Sequence, residues 1–280
     1  MNRMARQSES DIEESPQALG EDPEDASRDF ITSVARAFSI LRCFKRGEKA
    51  LGNKEIAQRT GLPKSSVARI AYTLTKLGYL EFLPAEEKYS LGIGVLALGQ
   101  NYLAGLDVRE VARPLMQELA EYTQATVALA ARDGDTMVFL EMCHGNQLFR
   151  LRMEVGQRVP RGTTALGRAG HVATPEPERS KALASYLSKV KKTDWAKIRE
   201  GLDQALKDYE KYGFCFSLGD WNKNVFAVGV PMPSDDGKKI LAFSCFGPVH
   251  EMTRARLITD IGPRLVELRD RVKNALGGSF

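Results

Sequence analysis

The chain has 280 residues, of which 43% are hydrophobic and 27% are charged. Because this length exceeds what one small domain uses, we expect at least two hydrophobic cores. No apolar run is long enough to cross a bilayer, and no apolar segment follows the first arginines as it would in a secretion signal. The sequence therefore predicts a soluble, cytoplasmic protein without a membrane partner.

The formal net charge of +4 is unevenly distributed along the chain. Residues 1–29 carry 9 acidic and 3 basic side chains and almost no large apolar ones, which predicts a disordered acidic tail. Residues 31–91 carry 11 Lys and Arg against 5 Asp and Glu. Tails of this composition usually remain solvated, which favours a solubilising leader or a start-site artefact. The alternative is a modulator that competes with DNA for the basic segment.

Residues 30–92 predict three helices and a hairpin. Thr32 or Ser33 can cap the first helix, whose apolar face is expected to comprise Val34, Ala37, Phe38, Leu41 and Phe44. A second helix, Lys54 to Thr60, ends at Gly61, which suits a left-handed cap, and Pro63 opens the third helix. A glycine directly after one helix and a proline at the start of the next are typical of a helix-turn-helix.

The third helix has one apolar face and one basic, hydroxyl-rich face. Its apolar positions are Val67, Ile70, Ala71, Leu74 and Leu77. After it, residues 79–83 and 88–91 predict two strands around a Pro-Ala-Glu-Glu turn, which form the wing of a winged helix. We expect this unit to bind double-stranded DNA through a set of residues on the third helix and the wing: Lys64, Ser65, Ser66, Ala68, Arg69, Tyr72, Thr73 and Lys88. The alternative is a compact helical core with a solvated basic face.

Residues 93–106 predict a mostly apolar linker helix interrupted by Gly94, Gly99 and Gly105. It could pair with the same helix of a second subunit or serve as an ordinary packed connector. The glycines leave room for a hinge.

Residues 107–280 predict a second, α+β domain. The pattern indicates a helix over 108–119, a hairpin of strands 126–132 and 136–142, a strand over 148–153 and a loop over 155–169. Two helices follow, the clearer over 195–212, then strands 213–218, 225–232 and 239–246 and a last helix over 253–276. Strands grouped around helices favour a sheet covered by helices over a doubly wound sheet.

The residue types that carry catalysis or bind metals are scattered. Cys43, Cys143, Cys215 and Cys245 form no paired motif, so we expect buried thiols, and the three histidines lack carboxylates at metal-ligand spacing. We therefore expect no cofactor, no metal and no enzymatic activity. A metabolic enzyme and an oligomerisation scaffold without ligand control remain the alternatives for the second domain.

Two sets of motifs resemble the IclR-type bacterial transcription regulators. In the first domain these are Pro-Lys-Ser-Ser-Val-Ala-Arg at 63–69 and Tyr-Ser-Leu-Gly at 89–92, and in the second they include Thr-Ala-Leu-Gly-Arg-Ala at 164–169 and Phe-Gly-Pro at 246–248. The resemblance implies a GAF-like effector-binding domain and a homodimer or homotetramer on a palindromic operator. It further implies a repressor or activator, with contact to RNA polymerase as one route of action.

In the family, metabolites bind in a cup on one side of the sheet. By resemblance, the cup here comprises Ala165, Leu166, Ser217, Val225, Ala227, Ser244 and Phe246. Many members place Asp where Ser217 stands, Cys at Ala227 and Ser at Phe246, so a glyoxylate- or pyruvate-like ligand fits less well than an aromatic or otherwise apolar acid. The neighbouring aromatic residues either serve that ligand or form the sheet core, and we expect core for at least half of them.

Overall fold

The structure, a computed structural model, describes residues 29–146, 151 and 153–277. It divides into two compact units between Tyr102 and Leu103. The acidic tail predicted for residues 1–29 lies outside the described residues, apart from Asp29. Within the described part of the chain, no helix combines the length and the apolar character needed to span a membrane.

The first unit contains three helices, three short strands and the start of a fourth helix. In chain order they are α1 Thr32–Arg42, β1 Leu51–Gly52, α2 Asn53–Thr60, α3 Lys64–Lys76, β2 Leu80–Leu83, β3 Lys88–Leu91 and α4 Ile93–Ala104. The strands form an antiparallel sheet in the order β1-β3-β2. Gly61 ends α2 with φ of +69°, the left-handed cap that the sequence predicts.

The core of this unit corrects the predicted face of α1. Ile40 and Cys43 are the buried residues near the end of α1, whereas Val34 and Phe38 are 48% and 51% exposed. The reason is that α1 enters the core through its last turn, so the predicted apolar stripe begins too early. Ile31 occupies the N-cap position without a side-chain hydrogen bond, so the predicted cap by Thr32 or Ser33 is wrong.

An ion pair ties α2 to the segment after α1. Arg59 donates Nη1 and Nη2 to the two carboxylate oxygens of Glu48, at 2.6 and 2.7 Å, and Nη1 also donates to the carbonyl oxygen of Cys43 at 2.9 Å. This hydrogen bonding holds the pKa of Glu48 below its ordinary value. Arg59 is therefore a structural cation of the basic unit.

The hairpin joins α4 through a close backbone contact at Gly92. Its amide donates to the carbonyl of Tyr79 at 2.9 Å, and a Cβ at position 92 would lie 2.3 Å from the carbonyl oxygen of Gly78. The helix α4 then runs through Gly94 and Gly99 without interruption and ends at Ala104, before Gly105. The predicted helix is thus two residues too long, and two of its three glycines do not break it.

The second unit is a six-stranded antiparallel sheet between helices. Its elements are α5 Asp107–Thr123, β4 Thr126–Asp133, β5 Thr136–His144, β6 Arg158–Pro160, α6 Ala165–Ala173, α7 Glu178–Lys189, α8 Trp195–Tyr212, β7 Cys215–Leu218, β8 Val225–Pro233, β9 Ile240–Pro248, α9 Arg254–Arg256 and α10 Gly262–Ala275. The strand order is β6-β5-β4-β9-β8-β7, so the first hairpin meets the last strands through β4 and β9. The predicted α+β class is confirmed.

Residue size differs between the two faces of this sheet. One face carries large side chains such as Leu129, Val230 and Phe243, which pack with α5 and α10. The other face carries small ones, including Ala128, Ala242 and Ser244, and packs with α6. Strand alternation places these two sets on opposite sides.

Three predicted elements of the second unit need correction. Leu151 and Met153 are not in a strand, and the rest of the predicted strand 148–153 lies outside the described residues. The predicted loop 155–169 contains β6 and the start of α6, so three helices follow the hairpin instead of two. The predicted last helix includes a π-helical turn at Leu257–Ile261. Short, remotely paired elements such as β6 leave little periodic signal.

We predict that Gly92→Ala destabilises the first unit by more than about 2 kcal/mol, because the new methyl group collides with backbone that cannot move without breaking the hairpin. Thermal unfolding checks this. Gly99→Ala is the matched control on the same connection, since no atom lies within 4 Å of a Cβ there. It should be neutral or stabilise by up to about 1 kcal/mol, as expected for Ala in a helix. Equal unfolding temperatures for the two variants would contradict the role given to Gly92.

Candidate functional site

The first candidate site is the exposed face of α3. Lys64, Ser65, Arg69, Tyr72 and Thr73 are exposed along it. Ser66 and Ala68 are half-buried beside them. Val67, Ala71 and Leu74 face the core, so the helix separates a packing side from a side that presents cations, hydroxyls and one aromatic ring. Such a face can contact phosphates and base edges together.

The hairpin β2–β3 adds a second basic position. Lys88 begins β3 and pairs in register with Leu83, and its side chain is half-buried. The turn between the strands presents Glu86 and Glu87 to solvent, and Glu87 has a positive φ of 52°. Lys88 is therefore the cation of the strand, while the tip of the hairpin is acidic.

A groove in the first unit runs between α1 and α3. Val34, Phe38 and Leu77 line it together with Tyr72. Leu77 is 63% exposed, so its predicted place in the core is wrong, because α3 ends at Lys76 and the chain turns away from the core there. Ser66, Arg69 and Thr73 of the exposed α3 face line the same groove, so its lining is mixed and not purely apolar.

The second candidate site is a cavity on the small-residue face of the second unit. It is a narrow space between α6 and the sheet that opens to solvent at its mouth. All seven predicted cup residues line it, and so do five others: Phe139, Met153, Val159, Thr164 and Trp221. The lining side chains are apolar or aromatic except for the hydroxyls of Thr164, Ser217 and Ser244.

Beside the cavity, α6 begins very close to the sheet. A Cβ at Gly229 of β8 would lie 2.4 Å from the carbonyl oxygen of Ala165, the first residue of α6. Ala227 and Ser244 keep the neighbouring strand positions short. The space left between these short side chains and the larger ones around the rim is the cavity.

The hydroxyls of the cavity already serve the backbone. Ser217 donates to the carbonyl of Thr163 at 2.7 Å, and Ser244 donates to that of Val228 at 2.8 Å. Thr164 donates to the carbonyl of Pro160 and accepts from the amide of Gly167 as the N-cap of α6. The protons of these three hydroxyls are therefore already donated to the backbone, and only their oxygen lone pairs, which cannot donate to a carboxylate, face a ligand.

The first turn of α6 offers donors instead. The amides of Ala165 and Leu166 belong to a helix N-terminus, where no preceding helical carbonyl can accept from them, and both residues line the cavity. The partial positive charge at a helix N-terminus favours an anion.

The aromatic residues divide as expected between core and cavity. Phe214, Phe216 and Phe243 belong to the core on the opposite face of the sheet, and Phe226 packs against that core. Phe246 and Trp221 line the cavity. At least half of the aromatic side chains are therefore core.

Phe139 and Val159 are cavity residues that the sequence did not indicate. Val159 lies on β6, which was not predicted as a strand. On β5 a register shift between Leu129 and Ala130 of the partner strand changes the alternation around Phe139. The only signal in the sequence was the apolar character of these positions.

A buried cation lies behind α6, outside the cavity lining. Arg161 is 2% exposed, and its Nη2 lies 3.2 Å from Nδ1 of His171. Burial, followed by the charges of Arg161 and Arg179, lowers the pKa of His171 to about 4. His171 is therefore neutral at pH 7, and its Nδ1 can accept a hydrogen bond from Nη2 of Arg161. The four cysteines are buried as predicted.

A helix-turn-helix with a basic recognition face, joined to a sheet domain with a small-molecule cavity, defines the class of ligand-responsive DNA-binding regulators of transcription. Comparison with known proteins gives the family. The family model described as IclR helix-turn-helix domain matches residues 33–84. The one described as bacterial transcriptional regulator IclR C-terminal matches residues 100–271. The chain belongs to the IclR family of transcription regulators.

Individual relatives agree with this assignment. The HTH-type transcriptional regulator TsaQ1/TsaQ2 of Comamonas testosteroni is 33% identical over 85% of this chain and 86% of its own. A crystal structure of an IclR family transcriptional regulator from Brucella abortus is 42% identical, covers 94% of this chain and 98% of its own, and has a TM-score of 0.84. These relatives are regulators of transcription, not enzymes.

A more distant structure has the same fold and a ligand. It is an IclR homolog from Microbacterium hydrocarbonoxydans complexed with 4-hydroxybenzoate, 23% identical over 88% of this chain and all of its own, with a TM-score of 0.66. At that identity the likeness concerns the fold.

We predict that His171 makes the second unit less stable in mild acid. Its folded-state pKa of about 4 lies below the ordinary 6.5, so the unfolded chain binds the proton first and stability falls as the pH drops from about 6.5 to 4. At pH 5 this linkage amounts to about 2 kcal/mol. His171→Gln keeps an acceptor for Arg161 and should lose that part of the pH dependence. Urea unfolding of both proteins at pH 7 and pH 5 checks this, and identical losses between the two pH values would contradict it.

Proposed function

We propose that this protein binds a palindromic operator through α3 and the β2–β3 hairpin and senses a small aromatic or otherwise apolar organic acid in the cavity of its second unit. Two observations support the proposal. One is the basic, hydroxyl-bearing face of α3. The other is an uncharged, aromatic cavity that ends at a helix N-terminus.

On the DNA side, the charges and the small side chains have different roles. Lys64, Arg69 and Lys88 would contribute affinity through phosphates, with Arg69 also able to bind guanine through two hydrogen bonds. Discrimination between bases falls to a neighbouring set: Ser65, Ser66, Ala68 and Tyr72, with Thr73 at the end of the face. The short residues near the start of α3 let that end enter the major groove.

On the ligand side, we propose that the seven predicted cup residues form the effector site. A ring would pack between Phe246 and Trp221, while the carboxylate accepts hydrogen bonds from the amides of Ala165 and Leu166. None of the described residues that line the cavity is charged, which argues for a ligand with one acidic group and an apolar body. Such ligands suit a regulator of genes for the catabolism of aromatic or apolar acids.

We propose a homodimer, or a dimer of dimers, as the binding form. The exposed apolar residues of the first unit include Phe38 on α1 and Ile93, Leu96, Leu98 and Tyr102 on α4, and Ile93 is 78% exposed. A second copy of the chain would cover these residues and present a second α3 to the next half-site. This symmetry is what makes a palindromic operator the expected target.

Ligand control would act through the ligand's preference for one arrangement of the paired DNA-binding units. Repression or activation then depends on where the operator lies relative to a promoter, with contact to RNA polymerase as one route to activation. A regulator that acts on chromosomal operators belongs in the cytoplasm, at the nucleoid.

The first experiment is sequencing of genomic fragments retained by the purified protein at near-physiological salt. A shared palindrome among them would support the operator proposal, and the flanking genes would indicate the chemical class of the effector. Retention without sequence preference, lost when salt is raised, would contradict sequence-specific binding through α3.

We predict that Arg69→Ala lowers operator affinity by at least about tenfold, since a good contact of this type contributes about 1–3 kcal/mol. Folding and ligand affinity should be unchanged because Arg69 is exposed. Fluorescence anisotropy with operator DNA measures the effect. Arg42→Ala removes the same charge from the exposed end of α1 and is the control. Equal losses of operator affinity in the two variants would mean that Arg69 contributes only its positive charge and no specific contact.

We predict that Phe246→Ser weakens binding of 4-hydroxybenzoate and shifts preference towards a smaller acid such as pyruvate. The reason is that it removes the aromatic wall and enlarges the cavity. Ser217→Asp should also change which acid is preferred, because it adds a negative charge to the lining. Calorimetry with both acids compares each variant with the parent protein. Unchanged preference in both variants would remove these residues from the site, and DNA affinity without ligand should stay constant throughout.

A further inference from the structure

The loop of residues 219–224 between β7 and β8 brings Trp221 to the cavity. Trp221 is half-buried, packs against the apolar cluster beneath α6 and lines the cavity. Gly219 reverses the chain with φ of +86°, and the amide of Val225 donates to the carbonyl of Asn222 at 2.9 Å. A short, hydrogen-bonded segment therefore determines where the indole lies.

A buried cation on α6 holds this loop next to the indole. Nη1 of Arg168 donates to Oδ2 of Asp220 at 2.9 Å and to the carbonyl oxygen of Phe216 at 2.7 Å. The side chain of Arg168 is 9% exposed and that of Asp220 is 27% exposed. Asp220 directly precedes Trp221, so the ion pair fixes the residue adjacent to the ring.

The surroundings of Arg168 keep the guanidinium in place. A Cβ at Gly201 of α8 would lie 2.3 Å from Nη2, so α8 closes directly against it. Its Nε is buried without a hydrogen-bond partner among the described residues. If Asp220 moved away, the buried positive charge of Arg168 would have no compensating negative charge. This cost strongly favours the paired arrangement. Because Asp220 reaches the surface, opening would occur on the side of the loop, where water can solvate the carboxylate.

We infer that the pair of Arg168 and Asp220 is a latch that holds Trp221 closed on the cavity, and that it thereby sets which acids enter and how fast they leave. Neither residue lines the cavity, so both are positioning residues that act through Trp221. The latch itself is independent of any ligand. Its effect on acid selection rests on the effector site proposed above.

The latch can be tested without a ligand because the chain has only two tryptophans. The other, Trp195, donates from its indole to the carbonyl of Val190 and packs in a separate cluster. Trp195→Phe therefore leaves Trp221 as the only indole. In that background, Asp220→Asn should raise the acrylamide quenching constant of Trp221 about twofold or more, because local opening exposes the ring.

An unchanged quenching constant in folded Asp220→Asn protein would overturn the latch. Asp235→Asn is the matched control, since it removes the pair of Asp235 with Lys273, at 3.0 Å, from the same unit. Quenching of Trp221 should not change there, and an equal rise would mean general loosening and would count against the latch. If circular dichroism shows that Asp220→Asn does not fold, Asp220→Ser leaves room for water at Arg168 and carries the same expectation.

A second experiment tests the effect of the latch on ligand binding separately from the latch itself. Stopped-flow dissociation of 4-hydroxybenzoate should be severalfold faster in Asp220→Asn than in the parent. When calorimetry follows binding in a Trp221→Ala background, adding Asp220→Asn should have no further effect, because both changes act through one side chain. If Asp220→Asn changed ligand affinity as much in the Trp221→Ala background as in the parent protein, the role given to Trp221 would be overturned. If this acid binds neither protein, the ligand class proposed above fails, while the quenching result still decides on the latch.

Discussion

The close approach of α6 to the sheet is the constraint on which the second unit depends. Gly229 faces the carbonyl of Ala165 at a distance that excludes any side chain, and the neighbouring strands carry alanine and serine on that face. The opposite face carries large side chains, which pack with α5 and α10. A single alternation of residue size along the strands thus produces a filled core on one side and a space for a ligand on the other.

The same arrangement limits which groups could recognise the proposed effector, an organic acid. Arg168 of α6 is already engaged by Asp220 and a backbone carbonyl. The hydroxyls of the lining donate to carbonyls of the fold. In the proposed effector site, a carboxylate would therefore bind to the main chain at the start of α6, where the helix dipole favours an anion. In that proposal, Phe246 and Trp221, which line the cavity, would contact the apolar body of the ligand.

The first unit separates its structural charges from its recognition charges. Arg59 is bound to Glu48 within the fold and stabilises the junction between α1 and α2. Lys64 and Arg69, by contrast, stand on a face of α3 that does not contribute to the core. That face is therefore free to contact phosphates and bases, and a substitution there can change binding without changing stability.

The sequence by itself determined the local elements: the helix-turn-helix with its cap at Gly61, the hairpins and the α+β class. These depend on periodicity and turn chemistry between near neighbours. The seven cup residues were named through resemblance to the family, and they do surround one cavity. Only the tertiary structure showed that α1 enters the core through Ile40, that β6 pairs with β5, and that Phe139 joins the cavity beside a register shift. Those features depend on pairing between distant segments, which neither periodicity nor local propensity encodes.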